Sequence, residues 1–236
     1  MIRKGSKPAV SSIPILRSIP FFTGLSDEEI SHLSQIISRK SFSKNKIILM
    51  EEDTANYMYI IYSGKVKVIQ LSTDGREKIL TYHKKGEFFG EMALIDGKTS
   101  PATIMAVEDT DIGLITKADF ETYILKSEKV LRELTTMLCI RLRESWLMIR
   151  VLSFADAEQR VRATLKLLST QYGVNDSQGT IITLKLTHRD IASYSSVSRE
   201  TATRLLDRFS KDGEIEFLDS KNIRIRPSFL EKTTFL

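Results

Sequence analysis

From about residue 46 to residue 116 the chain alternates short β-prone segments with turn residues, and this pattern restricts the possible folds most strongly. The segments are rich in β-branched and aromatic side chains, which favour strands. Glycine or aspartate separates many of them, as at Gly64, Asp74-Gly75 and Gly86. The segments are IILM (47–50), YMYIIY (57–62), KVKVIQ (65–70), KILTY (78–82), TIMAV (103–107) and DIGLI (111–115). Such a series predicts a compact antiparallel barrel or jelly roll.

Helical spacing occurs on both sides of this β region. Ser26 precedes three acidic residues and the apolar Ile30 and Leu33, which predicts a short amphipathic helix capped by Ser26. From Lys117 to Leu152 the chain contains no glycine or proline. This segment predicts two helical stretches, of which the second is long.

The long helical stretch carries a seam of residues spaced at alternating steps of four and three. Its members are Leu131, Thr135, Leu138, Leu142, Ser145, Ile149 and Leu152. Because five of these seven positions are apolar, the seam is typical of a two-stranded coiled coil and predicts a homodimer. A helix packed on its own barrel would show a similar face, so both interpretations stay open.

A second domain is predicted to begin near Phe154, and a length of 236 residues suits two small domains. Asp156 is positioned to cap a helix from Ala157 to Leu168. A polar loop is expected between Gly173 and Gly179.

Two short helices with a tight turn between them follow that loop. Thr187 is a hydroxyl cap with Asp190 three residues later, a variant of the capping box. Ser195 and Ser196 break this helix, and Ser198 is a natural cap for the next one. Two helices joined in this way predict a helix-turn-helix unit.

The second of these helices has two distinct faces. The apolar side chains follow helical spacing and are predicted to be buried: Ala202, Leu205, Leu206 and Phe209. The polar side chains face outward: Arg199, Glu200, Thr203, Arg204 and Asp207. Arginine pairs with guanine and a carboxylate accepts from cytosine in the major groove, so this face suits sequence readout. A solvated face with a Glu200–Arg204 pair is the alternative.

The segment after the second helix alternates like a β-hairpin. Residues 214–218 and 223–226 flank Asp219-Ser220 and predict a wing. Arg224 and Arg226 would then point to one side, where they could contact DNA phosphates.

Charge and cysteine content narrow the class of protein. A net charge of +5 and a pI near 9.2 favour a polyanionic partner. Cys139 is the only cysteine, which excludes an intramolecular disulfide and an iron–sulfur cluster held by four thiolates of one chain. Its neighbours Leu138 and Ile140 predict a buried, unreactive thiol. Without a secretory signal or an apolar span, we expect a cytoplasmic protein with no membrane partner.

Catalytic signatures are absent from the sequence. The histidines His32, His83 and His188 have no motif around them, and no GxSxG, HExxH or Walker-type loop occurs. We therefore expect no enzyme and no metal site.

Two motifs resemble those of the CRP/FNR family, the cyclic-AMP receptor family of bacterial transcription regulators. They are LTHRDIASYSSVSRETATRLL (186–206) and GEFFGEMAL (86–94). Ser196 stands where many relatives have glycine, for which we expect only a slightly altered turn. The resemblance implies an α+β chain: a cyclic-nucleotide-binding-type jelly roll, a long dimerisation helix and a winged helix-turn-helix. The chain is expected to divide into a polar tail (1–19), the barrel (20–126), the dimerisation helix and hinge (127–153) and the DNA-binding domain (154–236).

The resemblance also implies partners and DNA-binding residues. A palindromic double-stranded DNA with TGTGA-like half-sites is expected, together with RNA polymerase and a small effector. By position, Arg199 and Arg204 would read guanines and Glu200 a cytosine. The full set of expected DNA-binding residues is Thr187, His188, Arg189, Ser198, Arg199, Glu200, Thr203, Arg204 and Arg224.

The barrel motif departs from the family pattern where cyclic AMP would bind. Relatives hold the ribose with the second Glu of the cassette, here Glu91, and the cyclic phosphate with an R-S/T-A segment. The aligned segment here is Ser100-Pro101-Ala102. It lacks the arginine, and Pro101 has no backbone N–H to donate. Cyclic AMP is therefore disfavoured. The expected effector-binding residues are Gly90, Glu91, Met92, Ser100, Pro101, Ser145 and Trp146.

Other means of control stay open. His83 is a candidate haem ligand, and oxidation of Cys139 is a second possible means of control. A cyclic dinucleotide, a small organic acid, an aromatic compound or expression level alone could also control the protein. A conventional cyclic-AMP receptor with an altered phosphate site, or a ligand-gated protein-interaction module, are the alternatives for the whole chain.

Overall fold

The computed structural model describes residues 13–54, 56–218 and 222–234, which form two compact units. The first unit comprises residues up to Gln70 and Leu80–Ile140, and the second comprises Leu71–Ile79 and the chain from Arg141 onward. The division therefore falls within the long helix, whereas the sequence placed a domain boundary near Phe154. No helix in the described part of the chain is long and apolar enough to cross a membrane.

Two four-stranded antiparallel sheets lie in the first unit, except that residues 71 and 77–79 of their strands belong to the second unit. One has the order β1-β8-β3-β6 and the other β2-β7-β4-β5. The strands are β1 (Ser38–Phe42), β2 (Ile47–Leu49), β3 (Tyr57–Ser63), β4 (Lys65–Leu71), β5 (Glu77–Lys84), β6 (Phe88–Phe89), β7 (Thr103–Ala106) and β8 (Thr110–Thr116). All six predicted β segments form strands at these positions, and the predicted jelly roll is confirmed.

Short helices surround these sheets. They are α1 (Ile13–Ser18), a 3-10 turn (Pro20–Gly24), α2 (Asp27–Ile36), α3 (Glu91–Asp96), α4 (Lys117–Asp119) and a π turn (Phe120–Ile124). Ser26 caps α2 as predicted, because its side chain accepts from the Glu29 N–H and the Glu29 carboxylate accepts from the Ser26 N–H.

The predicted polar tail is wrong for the part that the structure describes. Residues 13–18 form α1, and Ile15, Leu16 and Ile19 are buried in the core of the first unit. Burial of these apolar side chains outweighs the cost of ordering the segment. Residues 1–12 lie outside the described residues.

The long helix α5 (Glu128–Phe154) uses different faces along its length. Val130 and Leu134 are fully buried in the core of the first unit, and Leu138 packs against that core. Leu142 and Ile149 are 50% and 60% exposed in the single chain. Packing on the chain's own barrel therefore accounts for the N-terminal half of the helix, while the C-terminal half presents an apolar seam.

The second unit is a set of helices packed on a small sheet of order β11-β12-β10-β9. Its helices are α6 (Ala157–Tyr172), α7 (His188–Ser195), α8 (Arg199–Lys211) and α9 (Pro227–Glu231). Its strands are β9 (Gly173–Asp176), β10 (Gly179–Ile182), β11 (Ile215–Phe217) and β12 (Ile223–Ile225). Asp156 caps α6 by accepting from the Gln159 N–H at 2.8 Å, as predicted.

The loop predicted between Gly173 and Gly179 is wrong, because β9 and β10 form a hairpin there. Val174 pairs with Ile181 and Asn175 with Thr180. Only a short connection remains, in which the Asp176 carboxylate accepts from the N–H groups of Gln178 and Gly179. Polar residues on the exposed β9 hide the strand pattern.

A buried ion pair connects α6 to the start of the wing in this unit. Arg162 Nη1 lies 2.8 Å from Glu214 Oε2, and their side chains are 4% and 2% exposed. The guanidinium lies over the rings of Phe209 and Phe229, at 4.3 and 4.9 Å from their centroids. Burial opposes ionisation of Glu214, but hydrogen bonds and charges from Arg162 and Lys232 outweigh it and lower the carboxyl pKa.

Candidate nucleic-acid interface

The interface is built on two capped helices, of which α7 is the first. Thr187 Oγ1 accepts from the Asp190 N–H at 3.1 Å, and Asp190 Oδ2 accepts from the Thr187 N–H at 2.9 Å. The helix ends at Ser196, which has the left-handed conformation with φ 53° and ψ 48°. Glycine adopts this conformation at lower cost, so Ser196 maintains the tight turn at some strain.

Residues 77–79 brace the C-terminal end of α7 within the second unit. Lys78 Nζ donates to the Tyr194 carbonyl at 2.5 Å and to Ser196 Oγ at 2.9 Å. Ser193 Oγ accepts from the Ile79 N–H at 2.9 Å. Burial, and then the positive charge of Arg160, lowers the pKa of Lys78 to about 8.

The second helix, α8, begins as predicted from Ser198. The Ser198 hydroxyl accepts from the Thr201 N–H at 3.1 Å. The predicted inner face is confirmed, because Ala202, Leu205, Leu206 and Phe209 are all buried. This packing leaves the opposite face of α8 free to meet a partner.

The outward face of α8 is an open surface of charged and polar side chains. Its residues are Arg199, Glu200, Thr203, Arg204, Asp207, Arg208, Lys211 and Asp212. Arg208 and Lys211 were not among the predicted site residues, although they continue the helical spacing of Arg204 by steps of four and three. Arg204, Arg208 and Lys211 therefore form one basic row on this face.

Glu200 is an ionised acceptor at the start of α8. The N–H of its own backbone, followed by the Ser198 side chain, lowers the pKa of this carboxyl. A carboxylate that is fully charged at neutral pH can accept from cytosine N4, while the neighbouring guanidinium groups of Arg199 and Arg204 can pair with guanine.

The predicted wing is present as the β11–β12 hairpin, with Glu216 paired to Arg224 and Phe217 to Ile223. Its tip, residues 219–221, lies outside the described residues. Arg224 and Arg226 point to one side as expected, since both contact the Glu216 carboxylate, at 2.6 and 2.9 Å.

Arg224 already has two carboxylate partners. It also contacts Asp176 at 2.8 Å, and its side chain is 14% exposed. The hydrogen bond to Glu216, ahead of that to Asp176, raises its pKa. The phosphate contact predicted for Arg224 stays a prediction and would require exchange of these partners.

The remaining predicted DNA-binding residues cluster at the start of α7. Thr187 and Arg189 are exposed there. His188 is half-buried and contacts Thr203 of α8. The helix-turn-helix thus brings the predicted α7 and α8 residues together in the second unit.

The predicted effector residues of the barrel lie at the start of α3 and in a loop after it. Gly90 has φ 86°, and a Cβ there would lie 2.8 Å from Tyr59 Cδ2 and 2.9 Å from the Tyr57 carbonyl oxygen. Glu91 is 2% exposed, while Met92 is exposed. The glycine is therefore required for the turn that positions Glu91.

The segment from Ser100 to Ala102 forms hydrogen bonds within the barrel. The Ser100 N–H donates to the Asp53 carbonyl at 2.9 Å, and its hydroxyl donates to the Ala102 carbonyl at 2.8 Å. Pro101 has no N–H, and its carbonyl accepts from Gln70 Nε2 at 3.1 Å. The donors that Ser100 possesses are thus already used inside the protein.

The other two predicted effector residues, Ser145 and Trp146, lie on the part of α5 that belongs to the second unit. Both are exposed, Trp146 by 60%. The Ser145 hydroxyl donates to the Arg141 carbonyl at 2.9 Å.

His83 and Cys139 differ in their surroundings. His83 is 9% exposed, lies 3.0 Å from Glu87 Oε2 through Nδ1, and stacks with Phe89. Cys139 is exposed in the single chain, so the predicted buried thiol is wrong. Successive residues of a helix point about 100° apart, so apolar neighbours such as Ile140 do not determine burial of the thiol.

Comparison with protein families gives two matches along the chain. Residues 39–127 match the cyclic nucleotide-binding domain, and residues 159–228 match the Crp-like helix-turn-helix domain. The "Cyclic AMP receptor protein" of Thermus thermophilus is 31% identical over 222 residues, which cover 93% of this chain and 99% of that protein.

Two solved structures are similar over most of the chain. FixK2 from Bradyrhizobium japonicum has a TM-score of 0.73 at 25% identity and covers 84% of this chain and 96% of its own. The c-di-GMP responsive regulator CLP of Xanthomonas campestris has a TM-score of 0.72 at 25% identity and covers 85% and 99%. With its nucleotide-binding-type barrel and its Crp-like helix-turn-helix, the chain belongs to the CRP/FNR family of DNA-binding transcription regulators, which are not enzymes.

Proposed function

We propose that the chain acts as a homodimer that reads a palindromic DNA through Arg199, Glu200 and Arg204, under the control of a small effector other than cyclic AMP. The observation that carries the DNA-reading part is the separation of faces on α8. The buried face fixes the helix, and the three side chains occupy the exposed N-terminal turns. Charged forks and a carboxylate at this position suit base edges of the major groove.

The proposed dimer contact is the exposed seam of α5. Leu142 and Ile149 of the seam, and Trp146 next to it, are at least half exposed and share one face at steps of four and three. Pairing of two such helices would bury these apolar side chains. The two α8 helices of the dimer would then face successive major grooves, about 34 Å apart on one side of the DNA.

Gel shifts on palindromic DNA with TGTGA-like half-sites test this readout. Affinity should fall steeply with salt because phosphate neutralisation releases counterions. Arg199→Ala should weaken binding and relax discrimination at one base pair, while Lys44→Ala, which removes an exposed charge in the first unit, should leave discrimination unchanged. Salt-independent or undetectable binding would favour the ligand-gated protein-interaction module.

The effector proposal follows from the misfit at Ser100 and Pro101. Relatives with the same architecture are described with different effectors: the Thermus thermophilus protein as a cyclic AMP receptor, and the Xanthomonas campestris regulator as responsive to c-di-GMP. The fold therefore accommodates a change of ligand. A cyclic dinucleotide, a small organic acid or an aromatic compound remain the candidate classes.

In the proposed mechanism an effector bound near Glu91 in the barrel alters the pairing of the two α5 helices. A hinge near Phe154 passes this change to α7 and α8, and specific binding to DNA results. RNA polymerase is the proposed protein partner at the promoter.

Native mass spectrometry of the gently purified protein, with calorimetric titration of cyclic AMP, tests the effector proposal. A dimer with an added mass would identify the ligand. Micromolar binding of cyclic AMP would show that our interpretation of Ser100 and Pro101 is wrong and that the protein is a conventional receptor with an altered phosphate site. A dimer with no added mass that ignores cyclic AMP would favour control by expression level.

A further inference from the structure

A hydrogen bond joins the two helices of the helix-turn-helix at the centre of the proposed DNA-reading face. His188 is the first residue of α7, and its Nδ1 lies 3.0 Å from the Thr203 hydroxyl oxygen on α8. Both side chains are half-buried. This distance is an ordinary hydrogen-bond length.

The imidazole of His188 is held from a second side. Its ring centroid lies 5.8 Å from that of Phe217 on the wing strand β11, with an angle of 39° between the planes. The ring therefore contacts side chains from both α8 and the wing. Because His188 belongs to α7 and its ring packs on the wing, the ring is well placed to hold the Thr203 hydroxyl in one orientation.

Thr203 lies in the reading face itself. It shares the open face of α8 with Arg199, Glu200 and Arg204. The Cβ of threonine carries only a hydroxyl, a methyl group and a hydrogen. Because the hydroxyl is bound to His188, the methyl group is the part of Thr203 that can meet a base. Apolar contact with a threonine methyl is a known way to recognise the C5-methyl group of thymine.

We infer that His188 is a positioning residue that turns the Thr203 hydroxyl away from the DNA, so that the Thr203 methyl group recognises a thymine methyl in the half-site. This inference rests on the proposed entry of α8 into the major groove. It assigns a preference for a T·A pair to Thr203, beside the charged contacts of Arg199, Glu200 and Arg204.

The test compares thymine with deoxyuracil, which lacks only the C5-methyl group. A preferred site is first obtained by selection from random duplexes with the full-length protein, and each thymine of the half-site is then replaced in turn. At one position the wild-type protein should lose about fourfold in affinity, the effect of burying one methyl group.

Four variants separate the role of the methyl group from that of the hydroxyl. Thr203→Val keeps a methyl group and should keep the deoxyuracil penalty at that position, while Thr203→Ser should lose it. His188→Asn places an amide close to the position of Nδ1 and should keep the penalty. His188→Ala frees the hydroxyl and should reduce the penalty, with salt dependence unchanged.

The result that overturns the inference is a wild-type protein that binds its selected site but tolerates deoxyuracil at every thymine. A Thr203→Ser variant with the full penalty would overturn it too. Failure to select any site, or an Arg199→Ala variant with unaltered specificity, would instead count against the proposed function.

Discussion

Replacement of Arg162 by Met is predicted to destabilise the second unit by about 3 kcal/mol. Arg162 connects α6 to the start of the wing through Glu214, and its side chain is 4% exposed. Its Nε also lies 3.0 Å from Glu158 Oε1. The variant removes the positive charge of this pair and leaves the Glu214 carboxylate buried.

The magnitude follows from burial and from the partners that remain. Removal of one partner from a buried ion pair costs about 3–5 kcal/mol, because the other charge stays out of water. Lys232 Nζ still lies 2.5 Å from Glu214 Oε1, which favours the lower end of this range. A loss of about 3 kcal/mol raises the population of the opened unit somewhat more than a hundredfold.

Arg208 provides a matched control in the same cluster. It also forms an ion pair with Glu158 and lies 5.6 Å over the Phe209 ring, but its side chain is 49% exposed. Water screens such a pair, so Arg208→Met should cost less than about 1 kcal/mol. A double variant, Arg162→Met with Glu214→Leu, removes both buried charges and should recover most of the lost stability.

Hydrogen exchange followed by mass spectrometry on the full-length protein measures these differences locally. Amides of α8 and β11 report opening of the second unit without requiring two-state unfolding of the whole chain. Equal protection in Arg162→Met and Arg208→Met would refute the reasoning from burial. If the double variant exchanged as fast as Arg162→Met, the loss of stability could not be assigned to the unpaired charge of Glu214.

Three further predictions concern DNA affinity and pH. Arg199→Ala should weaken binding to the selected site by roughly 1–3 kcal/mol, measured by gel shift, and an unchanged base preference would contradict its assignment. The folded-state pKa of Glu214 lies below the usual 4.5, so the stability that its carboxylate contributes should be complete above pH 4.5 and lost as pH falls through the folded-state pKa. Hydrogen exchange should therefore show a smaller loss of protection at acid pH in Arg162→Met than in the wild-type protein. Lys78 has a folded-state pKa of about 8 instead of 10.5, so the wild-type protein should gain stability relative to Lys78→Met as pH rises across that interval. Urea unfolding monitored by circular dichroism measures this, and a parallel pH dependence in the two proteins would contradict it.

Segments with a strong local pattern could be predicted from the sequence. The strands from Tyr57 to Leu71 carry β-branched and aromatic residues between glycines, and the caps at Ser26, Thr187 and Ser198 precede clear helical periods. Local propensity and tertiary packing agree in these segments, so the local sequence pattern was sufficient to predict their secondary structure.

Elements stabilised mainly by their partners were missed. Strand β1, with the sequence SRKSF, is almost entirely exposed and pairs with β8 through its backbone, so no alternation of apolar residues marks it. The strand β9 is polar for the same reason. An edge strand is held by backbone hydrogen bonds to its neighbouring strand, and these bonds do not depend on side-chain chemistry.

The contacts of the site depend on long-range geometry. The reading face of α8 follows from helical spacing, but the His188–Thr203 hydrogen bond joins residues fifteen positions apart on different helices. Burial of Arg162 could have been suspected, since it lies three positions before the apolar, buried Leu165 on α6. Its partner Glu214 follows a glycine in a polar stretch and gives no such signal.

The bracing of α7 by residues 77–79 has a consequence for how the protein can be divided. The stretch that matches the cyclic nucleotide-binding family includes these residues, yet they belong to the compact unit that carries the helix-turn-helix. A gene fragment that starts at Arg141 would encode every reading residue but leave the Ser193 hydroxyl and the Tyr194 carbonyl without the backbone and amine that they bind here. The reading module is therefore discontinuous in sequence, so an exchange of such modules between relatives by recombination must transfer two separate stretches of gene to preserve the brace.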